Sequence, residues 1–171
     1  MKTLTLFRHA KSSWIYPLED IFRPLNRRGF KPAQFMAQHC VLPPPDIIFC
    51  SPANRAYSKA LFYLQVYELP LNTLHLCAEL YQRSAHQQLS WLRTLPNKMD
   101  HVWLFGHNPD LSELATVLLE KNRYSDENSK PPELVTAAYI HLNLPIVPWS
   151  ALQQGSGELV YTKEPNKKQV V

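Results

Sequence analysis

The sequence of 171 residues has no apolar stretch of membrane-spanning length, and only three of its residues are cysteines. No long apolar segment with a small-residue cleavage site follows Lys2, so we expect neither a membrane span nor a signal peptide. Cys40, Cys50 and Cys77 are odd in number, lie in apolar surroundings and lack metal-ligand spacing. They favour reduced core thiols in a cytoplasmic protein over a metal site.

The charge of the chain is only mildly basic. The net charge is +4, and the basic residues are dispersed without an aromatic-rich basic motif. We therefore expect no nucleic-acid binding, whereas a positive charge favours anionic substrates. Hydrophobic residues at 45% and charged residues at 19% are typical of a globular protein. The length predicts a single domain over residues 1–163 and a frayed tail over residues 164–171, without indicating an oligomeric state.

Segments typical of strands and helices alternate along the chain, and no internal repeat is present. Their order predicts a three-layer α/β/α sandwich with a mostly parallel central sheet. The last two strands are expected to join the sheet as antiparallel neighbours. The predicted strands span residues 3–8, 46–50, 73–77, 101–106, 135–143 and 157–163, and the predicted helices span residues 27–40 and 85–95, with two more beginning at residues 51 and 108.

Two of these helices carry start signals. Ser51 is a suitable N-cap followed by Pro52 in the first helical position, and Asn108 with Pro109 is expected to cap a later helix. Pro32 lies early in the first helix, where proline is tolerated only within the first turn.

Several residues are interpreted as surface features. Arg23, Arg27 and Arg28 are expected on a solvated face, although they are also candidates for steering an anionic partner. The polar segment 120–133 is expected to form an exposed loop, and exposed apolar surface is expected around it or around Trp149.

Polar residues follow three of the predicted strands. Arg8 and His9 end the first strand, Arg55 comes shortly after the second, and His107 follows the strand at 101–106. In an open α/β sheet, ligands bind at the carboxyl ends of the strands. The sequence therefore predicts that two arginines and two histidines share one site.

These residue types suit phosphoryl chemistry. Arg8 and Arg55 offer planar, permanently charged donors for phosphate oxygens, and helix N-termini add backbone N–H groups. A neutral imidazole can attack phosphorus without a metal, and His9 is the better candidate because a backbone carbonyl at the strand end could fix its tautomer. His107 would then be a second donor to the transferring group. Lys11 and Asn108 are candidate substrate-binding residues at the rim and at the helix start.

The chain resembles the histidine phosphatase superfamily, also called phosphoglycerate mutase-like, and within it the SixA-type phosphohistidine phosphatases. The resemblance extends over nearly the whole chain, with the motifs in the family's order. The matching segments are RHAKSSW at 8–14, RPLNRRG at 23–29, CSPANRA at 50–56, ELY at 79–81, GHNP at 106–109, TAA at 136–138 and GSGEL at 155–159.

The resemblance implies that His9 is the nucleophile and passes through a covalent phosphohistidine. It implies that Arg8, Arg55 and His107 form the phosphate pocket, and that neither a metal nor an organic cofactor takes part. Glu79 matches the family's acidic proton donor, and its alternative interpretation is a loop carboxylate bonded to backbone or to an arginine.

Three functions stay open at this stage. The first is a metal-independent phosphatase acting on protein phosphohistidine, because the chain is short and carries no large insertion that would cover the site. The second is a small-molecule phosphomonoesterase of the same superfamily; a mutase is disfavoured because mutases of this clan are longer. The third is a non-catalytic module that binds a phosphorylated partner.

Overall fold

The structure, a computed structural model, describes residues 1–119 and 133–166, and within them the predicted strands and helices alternate. The strands are β1 (Lys2–Arg8), β2 (Ile47–Cys50), β3 (Leu74–Leu76), β4 (His101–Gly106), β5 (Tyr139–Leu144) and β6 (Glu158–Lys163). The helices are α1 (Arg27–Gln38), α2 (Asn54–Val66), α3 (Ala85–Leu92) and α4 (Asp110–Leu118).

The six strands form one sheet in the order β3-β2-β4-β1-β5-β6. The four strands β3, β2, β4 and β1 are mutually parallel. Strand β5 runs antiparallel to β1, and β6 runs antiparallel to β5, as predicted. Because β1, β4 and β2 are adjacent and parallel, their carboxyl ends lie together at one edge of the sheet.

Helices cover both faces of this sheet, which confirms the three-layer architecture. Successive side chains of a strand point to opposite faces, so Leu4 and Leu6 pack with α3 and α4 whereas Phe7 packs with α1 and α2. Strand β4 alternates in the same way, with Val102 and Leu104 on one side. Strands buried on both faces explain the nearly continuous apolar runs of the sequence.

The first helix begins at a cap that the sequence analysis did not identify. The Asn26 side chain accepts a hydrogen bond from the Gly29 backbone N–H at 2.9 Å. Pro32 is therefore the sixth residue of α1, beyond the first turn. A Cβ on Gly29 would lie 2.1 Å from the Lys11 carbonyl oxygen, so only glycine permits this approach of α1 to the loop after β1.

The predicted start of α2 is two residues too early, because α2 begins at Asn54 with extended Ala53 as its N-cap residue. The Ser51 hydroxyl accepts from the Ala53 N–H at 3.3 Å and also contacts His107. Helix α4 begins at Asp110 with Pro109 as its N-cap residue, as expected, although the Asn108 side chain makes no capping bond there.

The expectations for Trp149 and for the polar segment 120–133 have different outcomes. Trp149 is fully buried, contrary to expectation, and its indole N–H donates to the Met99 carbonyl at 2.8 Å. Of the expected loop 120–133, only Glu133 is among the described residues. Of the expected tail 164–171, residues 167–171 lie outside the described residues.

In the described ranges, no helix combines the length and apolar character that crossing a membrane requires.

Candidate active site

The edge formed by the ends of β1, β4 and β2 collects the predicted site residues. Arg8 pairs with Gly106 in the parallel register of β1 and β4, so the residues that follow, His9 and His107, are neighbours. Their ring centroids are 5.0 Å apart. Arg55, on the first turn of α2, interacts electrostatically with both imidazoles. The structure thus brings these four predicted residues together.

The backbone fixes the tautomer of His9. Its Nδ1 lies 2.7 Å from the Ala10 carbonyl oxygen, which can only accept, so Nδ1 carries the proton and Nε2 keeps its lone pair. Burial, together with the neighbouring charges of Arg55, Arg8 and Lys59, lowers the pKa of His9 to about 4, while the bond to Ala10 opposes them. His9 is therefore a neutral imidazole at pH 7.

His107 lies beside His9 in a similar electrostatic setting. Its Nε2 is 2.6 Å from the Ser51 hydroxyl, and the ring of Tyr81 packs edge-on against it at 5.6 Å. Burial lowers the pKa of His107 to about 3, with His9 and Arg55 contributing in the same direction. Ser51, predicted as a helix cap, accepts from the Ala53 N–H at 3.3 Å just before α2, and the same hydroxyl holds the His107 ring.

One carbonyl orients two of the predicted phosphate-binding side chains. Arg8 donates through Nη1 to the Leu134 oxygen at 2.9 Å, and Asn108 donates through Nδ2 to the same oxygen at 2.8 Å. Arg8 Nε, Asn108 Oδ1 and His107 Nδ1 are buried without a hydrogen-bond partner in the described part of the chain. Buried polar atoms normally find partners, so this group of unpaired atoms is typical of a ligand site.

Arg55 is held by Asp20, a residue that was not among the predicted site residues. The Asp20 carbonyl accepts from Arg55 Nη1 at 2.6 Å, and its carboxylate accepts from Nη2 at 2.8 Å. Asp20 also accepts from Arg23 at 2.8 Å and from the Tyr81 hydroxyl at 3.0 Å. Although burial alone would raise it, these donors lower the pKa of Asp20 below its usual range.

The expectation that Arg23 lies on a solvated face is wrong. The side chain is buried, bonded to Asp20 and to the Ser12 hydroxyl at 2.7 Å, and stacked under the exposed Trp14 ring. Arg27 and Arg28 are exposed as expected. The separation of three residues between Asp20 and Arg23 was the available signal for this network, but nothing local in the sequence links Asp20 to Arg55.

Glu79 and Lys11 are less closely linked to the histidine pair than the other predicted site residues. The Glu79 carboxylate accepts from the Cys77 thiol at 3.2 Å, and that bond is the main cause that lowers the pKa of Glu79. Within residues 1–119 and 133–166, Glu79 has no hydrogen bond or ion pair to His9 or His107. The Lys11 side chain is exposed, beside Arg28 at the mouth of a shallow surface pocket.

The chemistry of the donor set favours an anion. Three cationic side chains, Arg8, Arg55 and Lys59, surround two neutral imidazoles, and Asp20 is the carboxylate bonded to Arg55. In the described ranges, no group of three His, Cys, Asp or Glu side chains is arranged to hold a metal ion.

The sheet order and the position of this cluster define a three-layer α/β sandwich of the phosphoglycerate mutase-like fold. No family model and no curated protein matches the sequence. Among solved structures, the chain is similar to proteins described as phosphohistidine phosphatases, SixA, from two bacteria. For Nakamurella multipartitia the identity is 24% over 96% of both chains, with a TM-score of 0.77. For Agrobacterium tumefaciens the identity is 21% over 96% of this chain and 98% of that one, with a TM-score of 0.76.

A third similar structure is the protein histidine phosphatase SixA complexed with tungstate. Its sequence is 20% identical to this one, the match covers 95% of this chain and 97% of that one, and the TM-score is 0.72. Similarity at these identities establishes the fold of the chain.

Proposed function

We propose that this protein is a metal-independent phosphatase that uses His9 as its nucleophile and acts on protein phosphohistidine. The observation that carries the proposal is the bond from His9 Nδ1 to the Ala10 carbonyl. It leaves the Nε2 lone pair available in an imidazole that burial keeps neutral at pH 7. The fold shared with SixA structures supports the same conclusion.

The reaction has two steps. In the first, His9 Nε2 attacks phosphorus, the bond to the leaving atom breaks, and that atom keeps the electron pair and takes a proton from solvent water. In the second, a water oxygen attacks phosphorus, the Nε2–phosphorus bond breaks, and inorganic phosphate leaves. Arg8 and Arg55 neutralise the phosphoryl oxygens, and His107 donates to the charge that develops on them.

The position of Glu79 favours a phosphohistidine over an ester. An alkoxide needs a proton as it leaves, whereas a departing imidazole has a pKa of about 6.5 and needs less help. Within the described residues the Glu79 carboxylate is bonded to the Cys77 thiol and not to either site histidine, which disfavours it as a proton donor to an alkoxide. The three free thiols support a cytoplasmic location for such an enzyme.

The test is turnover at neutral pH with a chelator present, on a phosphohistidine-bearing protein and on p-nitrophenyl phosphate in parallel. We expect turnover that is faster on phosphohistidine and that is lost in His9→Ala. The matched control is His86→Ala, which removes an exposed imidazole on α3.

Each other outcome has a definite meaning. Full activity in His9→Ala, or a requirement for added metal, contradicts the mechanism. Turnover of the ester alone indicates a small-molecule phosphomonoesterase, and tight phosphate binding without any turnover indicates a phospho-ligand binding module.

A further inference from the structure

Lys59 is a fully buried lysine directly behind the candidate site. It lies one helical turn after Arg55 on α2, so both side chains project from the same helix face. Its side chain has no solvent exposure. Neither the sequence motifs nor the reaction described above assigns it a role.

The surroundings of Lys59 match an ammonium group. Its Nζ lies 2.6 Å from the Arg8 oxygen, 2.8 Å from the Ala137 oxygen and 3.2 Å from the Ala138 oxygen. Carbonyl oxygens only accept, and an ammonium has three donors, so the three bonds satisfy the charged form. The rings of Phe7 and Tyr63 lie 5.5 and 5.9 Å from Nζ, within cation–π range.

Lys59 has no ion-pair partner in the described ranges. A buried charge without a partner is costly, and such charges are usually paired or placed where they act on another group. Here the nearest functional group is His9, on which Lys59 acts electrostatically.

The three carbonyls bonded by Lys59 belong to the backbone that holds His9. The Arg8 carbonyl is part of the peptide bond that leads into His9. On the other side, the Ala137 N–H donates to the His9 carbonyl at 3.1 Å, while the Ala137 carbonyl accepts from Lys59. Ala137 has a φ of 69°, a conformation that a non-glycine residue keeps only when its surroundings enforce it.

We propose that Lys59 is a positioning residue for His9: its buried ammonium clamps the backbone on both sides of the nucleophile and places a positive charge behind the phosphoryl group. This proposal rests on the proposed function, in which His9 attacks phosphorus. Lys59 touches no substrate and acts through the His9 backbone and through its charge.

Burial and the charge of Arg8 lower the pKa of Lys59, whereas its three carbonyl acceptors favour the ammonium form. The charged and titratable groups that face His9 are Arg8 on β1, Arg55 and Lys59 on α2, and His107 after β4. The positive charges assist burial in lowering the pKa of His9. Removing the charge of Lys59 should therefore raise the pKa of His9 and protonate the nucleophile at a higher pH.

The experiment compares Lys59→Gln, which is neutral but keeps hydrogen-bond donors, with Lys59→Met, which lacks both charge and donors. Tyr63→Phe is the matched control, because it changes a buried residue one turn further along α2 whose hydroxyl has no partner in the described residues. Three quantities are measured: the kcat and KM on phosphohistidine, the pH profile, and the protonated fraction of His9 by nitrogen NMR between about pH 3 and pH 7.

We expect kcat in Lys59→Gln to fall by about tenfold or more while KM changes by less than about threefold. The midpoint of His9 protonation should rise by about one pH unit. Lys59→Met should lose more kcat than Lys59→Gln because the backbone clamp is also removed. Tyr63→Phe should match the unaltered protein in all three measurements.

The NMR measurement needs no turnover, so it separates this proposal from the proposed function. An unchanged His9 midpoint and an unchanged kcat in folded Lys59→Gln would overturn the proposal even if His9→Ala is inactive. A fall in kcat without a shift of the midpoint, equal in both Lys59 variants, would also overturn it, since it would indicate a packing role only. If Lys59→Met does not fold, Lys59→Gln alone decides.

Discussion

Two pairs of histidines, one within the sheet and one just after the ends of its strands, differ in what surrounds them. His101 and His141 face threonines on the neighbouring strand β1: Thr3 pairs with His101 and Thr5 with His141, each with 2.8 Å between hydroxyl and Nδ1. These are cross-strand polar pairs that satisfy each other within the sheet. His9, in contrast, comes one residue after the end of its strand.

His9 and its partner His107 differ from the sheet pair in their charged neighbours. Arg8 and Arg55 act on both imidazoles, and the buried Lys59 acts on His9. In the described ranges, the Nδ1 of His107 is also buried without a hydrogen-bond partner. The presence of a histidine therefore does not by itself identify the site, whereas its position just after a strand and its cationic neighbours do.

The largest expected effect tests this comparison on one histidine of each pair, His107 and His141. Replacing His107 by alanine removes a donor to the transferring phosphoryl group, and we expect kcat to fall by about 100-fold to 1,000-fold. Replacing His141 by alanine leaves the buried Thr5 hydroxyl without this partner. We expect that change to lower the free energy of unfolding by about 1–3 kcal/mol while kcat stays unchanged.

Steady-state kinetics and urea unfolding on the same two variants give both quantities. The distinction between a site pair and a sheet pair fails if His141→Ala loses turnover as strongly as His107→Ala. It fails equally if His107→Ala keeps normal turnover in a folded protein.

A smaller effect is expected when the negative charge of Asp20 is removed from the cationic site. The Asp20 carboxylate bonds one donor of Arg55 while its backbone carbonyl bonds another, and Asp20 interacts electrostatically with His107. Asp20→Asn keeps a similar shape and removes that charge, so repulsion of a phosphate anion decreases. We expect inorganic phosphate to bind about threefold to tenfold more tightly, as measured by titration calorimetry at low ionic strength.

The control for Asp20→Asn is Asp100→Asn, which removes an exposed carboxylate paired with Lys2 at the opposite ends of the strands. Equal tightening in both variants would indicate a general effect of net charge. Weaker phosphate binding in Asp20→Asn would show instead that Asp20 chiefly positions Arg55.

The sequence predicted the part of the site that depends on topology. Buried apolar runs ending at Arg8 and before His107 indicated parallel strands, and parallel neighbours bring their carboxyl ends together. The backbone carbonyl that fixes the His9 tautomer was also anticipated at this position. These features follow from local pattern and from the geometry of an α/β sheet.

The remaining contacts depend on tertiary structure. Asp20 and Arg55 are 35 residues apart, and the Ser51 hydroxyl and His107 are 56 apart, so no periodicity links either pair. Lys59 has the spacing of a helix residue near Arg55, but its burial follows only from the packing of α2 on the sheet. Propensity rules also placed a cap at Ser51 because they carry no information about a distant imidazole.

The smallest expected effect concerns stability as a function of pH. The pKa of His9 is about 4 in the folded protein, below the ordinary value of about 6.5. As the pH falls from about 6.5 towards 4, the unfolded chain takes up a proton that the folded protein does not, so the free energy of unfolding decreases. Removing His9 eliminates this penalty. We expect His9→Ala to gain about 0.7 kcal/mol of stability relative to the unaltered protein between pH 7 and pH 6.

Urea unfolding at pH 7, 6 and 5 measures this gain, with His86→Ala as the control for loss of an exposed imidazole. If His9→Ala and His86→Ala change in parallel with pH, then the surroundings of His9 do not disfavour its charged form. The stability difference would in that case give no support to a neutral nucleophile, and the contrast with the sheet histidines would depend on hydrogen bonding alone. A gain confined to His9→Ala would instead show that the cationic site stabilises the neutral imidazole at a cost to the fold.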